Sequence, residues 1–126
     1  MKLLLDTNAL IWTLVRPERL SKTAVEAVTS PANRVYVSVI SAWEIGMLRA
    51  KKGVRLPTDL EFQIADKDFD ALPLTMGHAL AVEALPFLHN DPFDRMLVAQ
   101  AQVEGLTIVT SDRVMRRYPV ATLPAI

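Results

Sequence analysis

Cysteine is absent from the 126 residues, which excludes disulfides, cysteine–zinc sites and thiol nucleophiles. Long apolar runs are absent too, although 51% of the chain is hydrophobic. The opening "MKLLL" reaches Asp6 before the roughly 7–15 apolar residues of a signal-peptide core accumulate. No stretch approaches the roughly 20 apolar residues of a spanning helix. A cytoplasmic protein without a membrane segment is therefore expected. An excess of either charge is also missing: 14 basic residues balance 14 acidic ones, so a globally basic nucleic-acid binder is not indicated. The two histidines, His78 and His89, lack ligand-type spacing. By length, residues 1–126 form one domain with a core of useful size.

What is present is an alternation of strand and helix patterns. "KLLL" reads as a short strand buried on both faces. "TNALIWTLV" places Leu10, Ile11 and Leu14 at helical spacing, and Pro17 closes it. Ser21 is the expected N-cap of a helix in "LSKTAVEAV". "RVYVSV" is β-branched and aromatic, hence a strand. A helix is expected from about Ser41 to Gly53. Another opens at Pro57-Thr58, with Glu61 completing a capping box. "FDALPLT" contains a proline and is expected near a sheet edge. "MGHALAVEAL" is helical up to Pro86. The clearest helix runs from Pro92 to Gly105. "LTIVTSD" is the most convincing strand, "RVMRRY" a short helix or turn, and "VATL" a final strand. Such alternation predicts an α/β domain with a mostly parallel sheet, whose ligands bind beyond the carboxyl ends of the strands.

Four acids are expected at that edge. Asp6 ends the first strand, and Asp112 follows "LTIVTS". Glu44 is placed in the first turn of the helix after "RVYVSV", and Asp94 in the first turn after Pro92. Each has a structural explanation, because acids near helix N-termini are stabilised by about 0.3–1 kcal/mol. Asp6 is the hardest to explain that way, since it leaves a buried strand and needs partners for its charge. Gathered together, the carboxylates would repel and raise one another's pKa. A hard divalent cation, Mg²⁺ or Mn²⁺, resolves that conflict and points to metal-assisted phosphate chemistry. Thr7, Asn8, Ser41, Thr110 and Ser111 adjoin the acids, either as orienting neighbours or as N-caps. Asp91 is the cap of the Pro92 helix, with His89 as a loop hydrogen-bond partner. His78 is expected to be a packed or exposed helix residue. Trp12 and Trp43 fit core or interface positions.

At these residues the chain resembles the PIN-domain ribonucleases, and among them the VapC toxins of toxin–antitoxin pairs. The resemblance spans "LLLDTNALIW", "VSVISAWEIGML", "LPLTMGHALAVEALPFLHNDPFDRMLVAQA" and "LTIVTSD" in that order. It implies a three-layer sandwich around a parallel sheet of four or five strands. It also implies a metal site at Asp6, Glu44, Asp94 and Asp112, and RNA hydrolysis leaving 5′-phosphate and 3′-hydroxyl ends. A homodimer and a VapB-type antitoxin partner are further implications. Arg49, Lys51, Lys52, Arg55, Arg95, Arg113, Arg116 and Arg117 are the candidates for RNA backbone contacts, although such clusters are often only solvated faces. Two rivals stand beside this reading. A haloacid-dehalogenase-type phosphatase also begins with a strand ending in Asp, but usually carries a second acid two residues on, where this chain has Asn8. A non-catalytic RNA- or protein-binding module would use the acids only as caps.

Overall fold

The structure is a computed structural model that describes residues 1–51 and 55–126. In chain order it runs β1 (Lys2–Leu5), α1 (Thr7–Val15), α2 (Lys22–Thr29), β2 (Arg34–Ser38), α3 (Val39–Leu48), α4 (Leu60–Asp66), β3 (Asp70–Leu72), α5 (Met76–Ala81), α6 (Pro92–Glu104), β4 (Thr107–Thr110) and β5 (Thr122–Pro124). Short 3₁₀ turns follow α1, α5 and β4. Among the described residues five strands form one sheet in the order β3-β2-β1-β4-β5, and every pairing is parallel.

The apolar strand β1 lies at the centre because it can be buried on both faces. Leu3 and Leu5 pack with Ala9, Leu10, Val35, Val37 and Ile45, on the side of α1 to α4. Leu4 points the other way, into Leu97, Val98, Ile108 and Met115, on the side of α5 and α6. Helices therefore cover both faces, giving the expected three layers. Each leucine of β1 is fully buried, and each contributes about 2 kcal/mol relative to exposure. The chain runs outward from β1 to β2 and β3 on one side, and to β4 and β5 on the other. The resulting switch of direction opens a crevice beyond the carboxyl ends of β1 and β4.

Most expected elements form where the pattern places them, including β3 at the sheet edge. Pro92 opens α6, and Gly105 ends it with a left-handed φ of 68°. Two local expectations are corrected. Helix α3 starts at Val39 rather than near Ser41, because the Ser38 hydroxyl accepts the Ile40 amide and caps it. Glu44 consequently sits in the second turn, beyond the reach of the helix N-terminus. No capping box forms before α4: Asp59 is the cap residue, in a left-handed conformation with φ 48°, and makes no side-chain cap bond. Thr58 is thereby left one residue outside the helix. The expected helix end at Gly53, and Lys52 with it, lie outside the described residues.

Candidate metal centre

Four acids converge on one cavity of about 250 Å³, lined by Asp6, Thr7, Asn8, Glu44, His89, Asp91, Asp94 and Asp112. Each arrives on a different element. Asp6 is the N-cap of α1, its Oδ1 accepting the Ala9 amide at 2.8 Å. Asp94 is the third residue of α6, whose entry is fixed by Asp91. Asp91 Oδ1 accepts the Phe93 amide at 2.8 Å and the Asp94 amide at 3.4 Å. Asp112 follows β4 and accepts the Val114 and Met115 amides through Oδ1, leaving Oδ2 turned to the cavity residues. Glu44 reaches in from α3. Its Oε1 is buried without a hydrogen-bond partner among the described residues.

Packing between elements holds these positions. The Thr7 hydroxyl donates to Ser41 Oγ at 3.0 Å, joining the start of α1 to α3. Trp43 meets Phe93 edge to face at 5.0 Å. That contact couples α3 and α6 through the residues next to Glu44 and Asp94. Trp43 is nevertheless 61% exposed, so it is a surface clamp and not a core residue, whereas Trp12 packs partly buried against the core. Thr110 is buried beside Asp6, and its Oγ1 accepts the Asp112 amide at 2.9 Å. Ser111 follows Thr110 but does not line the cavity.

The electrostatics bear the mark of crowded acids. Burial pushes the Asp6 carboxyl up to about 6, against the lowering effect of the Thr110 hydroxyl and the Ala9 amide, with Asp112 and Glu44 adding repulsion. Burial also pushes Asp94 up to about 7. Asp91 repels it further, and His89 offsets part of the rise. Asp112 is held below the usual carboxylate range: its burial is outweighed by the His89 hydrogen bond and the Met115 and Val114 amides. His89 is raised, since the hydrogen bond and charge of Asp112, with Asp94 and Asp91, outweigh its burial.

Comparison with known proteins gives this arrangement a lineage. The PIN domain family matches residues 3–121. The chain belongs to the PIN-domain family. It is 30% identical over 118 residues to ribonuclease VapC22 of Mycobacterium tuberculosis, covering 91% of this chain and 90% of that one. Within the PIN family it is thus of the VapC ribonuclease type. Its fold matches VapBC2 from Rickettsia felis, solved bound to a promoter DNA fragment, with a TM-score of 0.71, 15% identity and full coverage of both chains. It also matches DNA-bound VapBC from Salmonella typhimurium, with a TM-score of 0.64, 18% identity and 98% coverage of each chain.

PIN nucleases are in general metal-dependent, and the donor set here fits a hard divalent cation. The cavity offers carboxylate oxygens, one of them the unpartnered Glu44 Oε1. Burial is the main cause that raises Asp6 and Asp94, and a cation would offset both it and the added repulsion of the neighbouring acids. Among the described residues, His89, Asp94 and Asp112 present atoms within 4.8 Å of one another. All four expected acids reach the cavity, and Thr7, Asn8 and Asp91 line it as well.

His89 is what sequence reasoning underrated. Its Nδ1 accepts the Asp91 amide, the loop partnership expected of it, but Nε2 contacts both Asp94 and Asp112. The available signal was its place in "HNDPFDR", in a chain with only two histidines. The other histidine, His78, is fully buried and bonds Glu104 at 2.8 Å, far from these acids in role. Arg95 is half-buried and tied down at the surface: its guanidinium donates to the Pro86 and Val82 carbonyls and the Tyr118 hydroxyl, and stacks on the exposed Phe87. Arg49 donates to the Pro57 carbonyl. Arg113, Arg116 and Arg117 remain exposed after Asp112, as do Lys51 and Arg55. Among the described residues no helix is long and apolar enough to cross a membrane.

Proposed function

We propose that this VapC-type protein is an endoribonuclease that uses Mg²⁺ or Mn²⁺ held by Asp6, Asp94 and Asp112, with Glu44 completing the pocket. The observation that carries this reading is the convergence of four carboxylates from four elements on one cavity at the switch point of the sheet. Caps alone do not require that convergence. The stranded Glu44 Oε1 supports it, because a buried carboxylate oxygen without a partner is costly unless a ligand satisfies it.

When bound, the ion supplies a Lewis acid that eases deprotonation of water and offsets charge on the phosphodiester. The chain's residues do the remainder. A carboxylate of the cluster accepts the proton of the attacking water. Asp91 fixes the entry of α6 and so the direction of Asp94. Asn8 and Thr7 line the same cavity as the acids and would border a phosphate bound there. Lys51 lines the neighbouring cleft, and exposed Arg113 and Arg116 follow Asp112 in the chain; they are assigned as the local positive charge, which RNA needs more than a basic protein overall. Attack in line leaves 5′-phosphate and 3′-hydroxyl ends.

The same reading includes a cytoplasmic toxin that acts as a homodimer and is restrained by a VapB-type antitoxin. A cleft of about 780 Å³ adjoins the acids, lined by Met47, Leu48, Leu88, Phe93 and Val114, with Lys51 at its edge. Its apolar walls suit a segment of such a partner. The test is incubation of antitoxin-free protein with total RNA in Mg²⁺, Mn²⁺ or EDTA, beside Asp6→Asn and Asp94→Asn. Discrete metal-dependent cleavage that both variants lose by at least ~100-fold is expected. Intact RNA with folded, metal-loaded protein would overturn the reading in favour of a small phosphoester substrate.

A further inference from the structure

His89 occupies the loop before α6 and is fixed at every polar atom the ring and its amide offer. Its backbone N–H donates to the Tyr118 hydroxyl at 2.9 Å. Its Nδ1 faces the Asp91 N–H at 3.1 Å. Its Nε2 lies 2.9 Å from Asp112 Oδ2 and 3.1 Å from Asp94 Oδ2. The side chain is 17% exposed. The network assigns the tautomer. A backbone amide can only donate, so Nδ1 is the acceptor and the ring proton resides on Nε2. That proton points at Asp112 Oδ2, while Asp94 Oδ2 lies beside the same nitrogen in a 3.1 Å polar contact; the two acids come from different elements and have no covalent reason to stay in register.

We propose that His89 is a positioning residue that sets the spacing of Asp94 and Asp112, donating Nε2–H to Asp112 and holding Asp94 in close polar contact, and that it is not itself a metal ligand. The proposal rests on the metal-dependent reading above. Proximity alone would admit His89 as a third ligand beside the two aspartates. The hydrogen bonds argue otherwise. Ligation through Nε2 requires the ring proton to move to Nδ1, where it would confront the Asp91 N–H, donor against donor. Metal-ligating histidines ordinarily direct the other ring nitrogen at an acceptor; here the other nitrogen meets a donor. Asp91 thereby has two duties. Its side chain caps α6, and its amide sets the ring proton that His89 donates to Asp112.

The experiment is Mn²⁺ titration of the full chain by calorimetry, with electron spin echo envelope modulation of the bound ion, for wild type, His89→Ala and His89→Gln. Circular dichroism verifies that each variant is folded. Wild type is expected to bind Mn²⁺ without the ¹⁴N coupling of a directly coordinated imidazole. His89→Ala should weaken Mn²⁺ binding about 10–100-fold, the range for loss of a residue that orients ligands. His89→Gln, whose side-chain amide can present an N–H near the same point, should recover most of that loss. Direct ¹⁴N coupling in wild type would overturn the proposal and make His89 a ligand. Wild-type affinity in His89→Ala, or no recovery in His89→Gln, would overturn it as well. A folded wild-type protein that binds no Mn²⁺ would overturn the metal reading itself, a result distinct from the others. Should His89→Ala fail to fold, the wild-type spectrum and His89→Gln still decide.

Discussion

Replacing Asp94 with asparagine in metal-free protein is expected to make the fold more stable at pH 8. Burial and the nearby Asp91 raise the Asp94 carboxyl from 3.8 to about 7. The native carboxyl therefore holds its proton more tightly than the unfolded one. Between about pH 4 and 7 the native state binds more protons, so stability falls as pH rises through that window, and the loss is complete above it. At about 1.4 kcal/mol per pH unit, a shift of roughly three units sets a ceiling near 4 kcal/mol. The His89 contact is already contained in that shift. A charge in the first turn of α6 is favoured by about 0.3–1 kcal/mol, and side-chain relaxation and water entry reduce the ceiling further. A net gain of about 1–3 kcal/mol remains, equivalent to roughly 4–12 °C for a chain of this size. Thermal melts in EDTA at pH 8 and pH 5 test this, with the gain shrinking at pH 5. Added Mg²⁺ should reverse the order, since a ligand at about 1,000 times its Kd stabilises wild type by about 4.1 kcal/mol, and Asp94→Asn binds it poorly. An Asp94→Asn protein that melts at or below wild type in EDTA at pH 8 would refute the reasoning.

Other expectations concern the support of the site. Gln100 is fully buried, accepting from the Ser38 hydroxyl at 2.6 Å and reaching the Pro73 carbonyl at 3.4 Å. Gln100→Leu should cost about 2 kcal/mol in urea denaturation by stranding these partners. Asp91→Ala removes the α6 cap and should cost about 1 kcal/mol, with a larger fall in kcat than the stability change explains. Arg95→Ala should lower the melting temperature through lost packing and hydrogen bonds and leave the salt dependence of RNA binding unchanged. Arg113→Ala or Arg116→Ala should do the reverse, reducing the salt slope by about 1 without affecting the melt.

The amino-acid order by itself determined the sheet and most of its helices, because their causes are local or periodic. The run "KLLL" can be stable only with both faces covered, and that requirement placed β1 at the centre. Pro92 and Gly105 marked the limits of α6 through backbone geometry that any context would impose. The parallel topology then sent Asp6 and Asp112 to one edge, so their meeting in the cavity was legible before any coordinate. Tertiary structure decided what depends on partners distant in sequence. Ser38 rather than a later residue starts α3, and this moved Glu44 from the first helical turn into the second. Arg95 was tied down by two carbonyls, Tyr118 and Phe87, which no charge pattern reveals. His78 and Gln100 joined a buried polar network across 22 residues. His89 gained its relation to Asp112 across 23 residues of chain. Hydrogen-bond direction is a property of three-dimensional neighbours, so only the fold could say which nitrogen of that ring carries the proton and which carboxylate receives it.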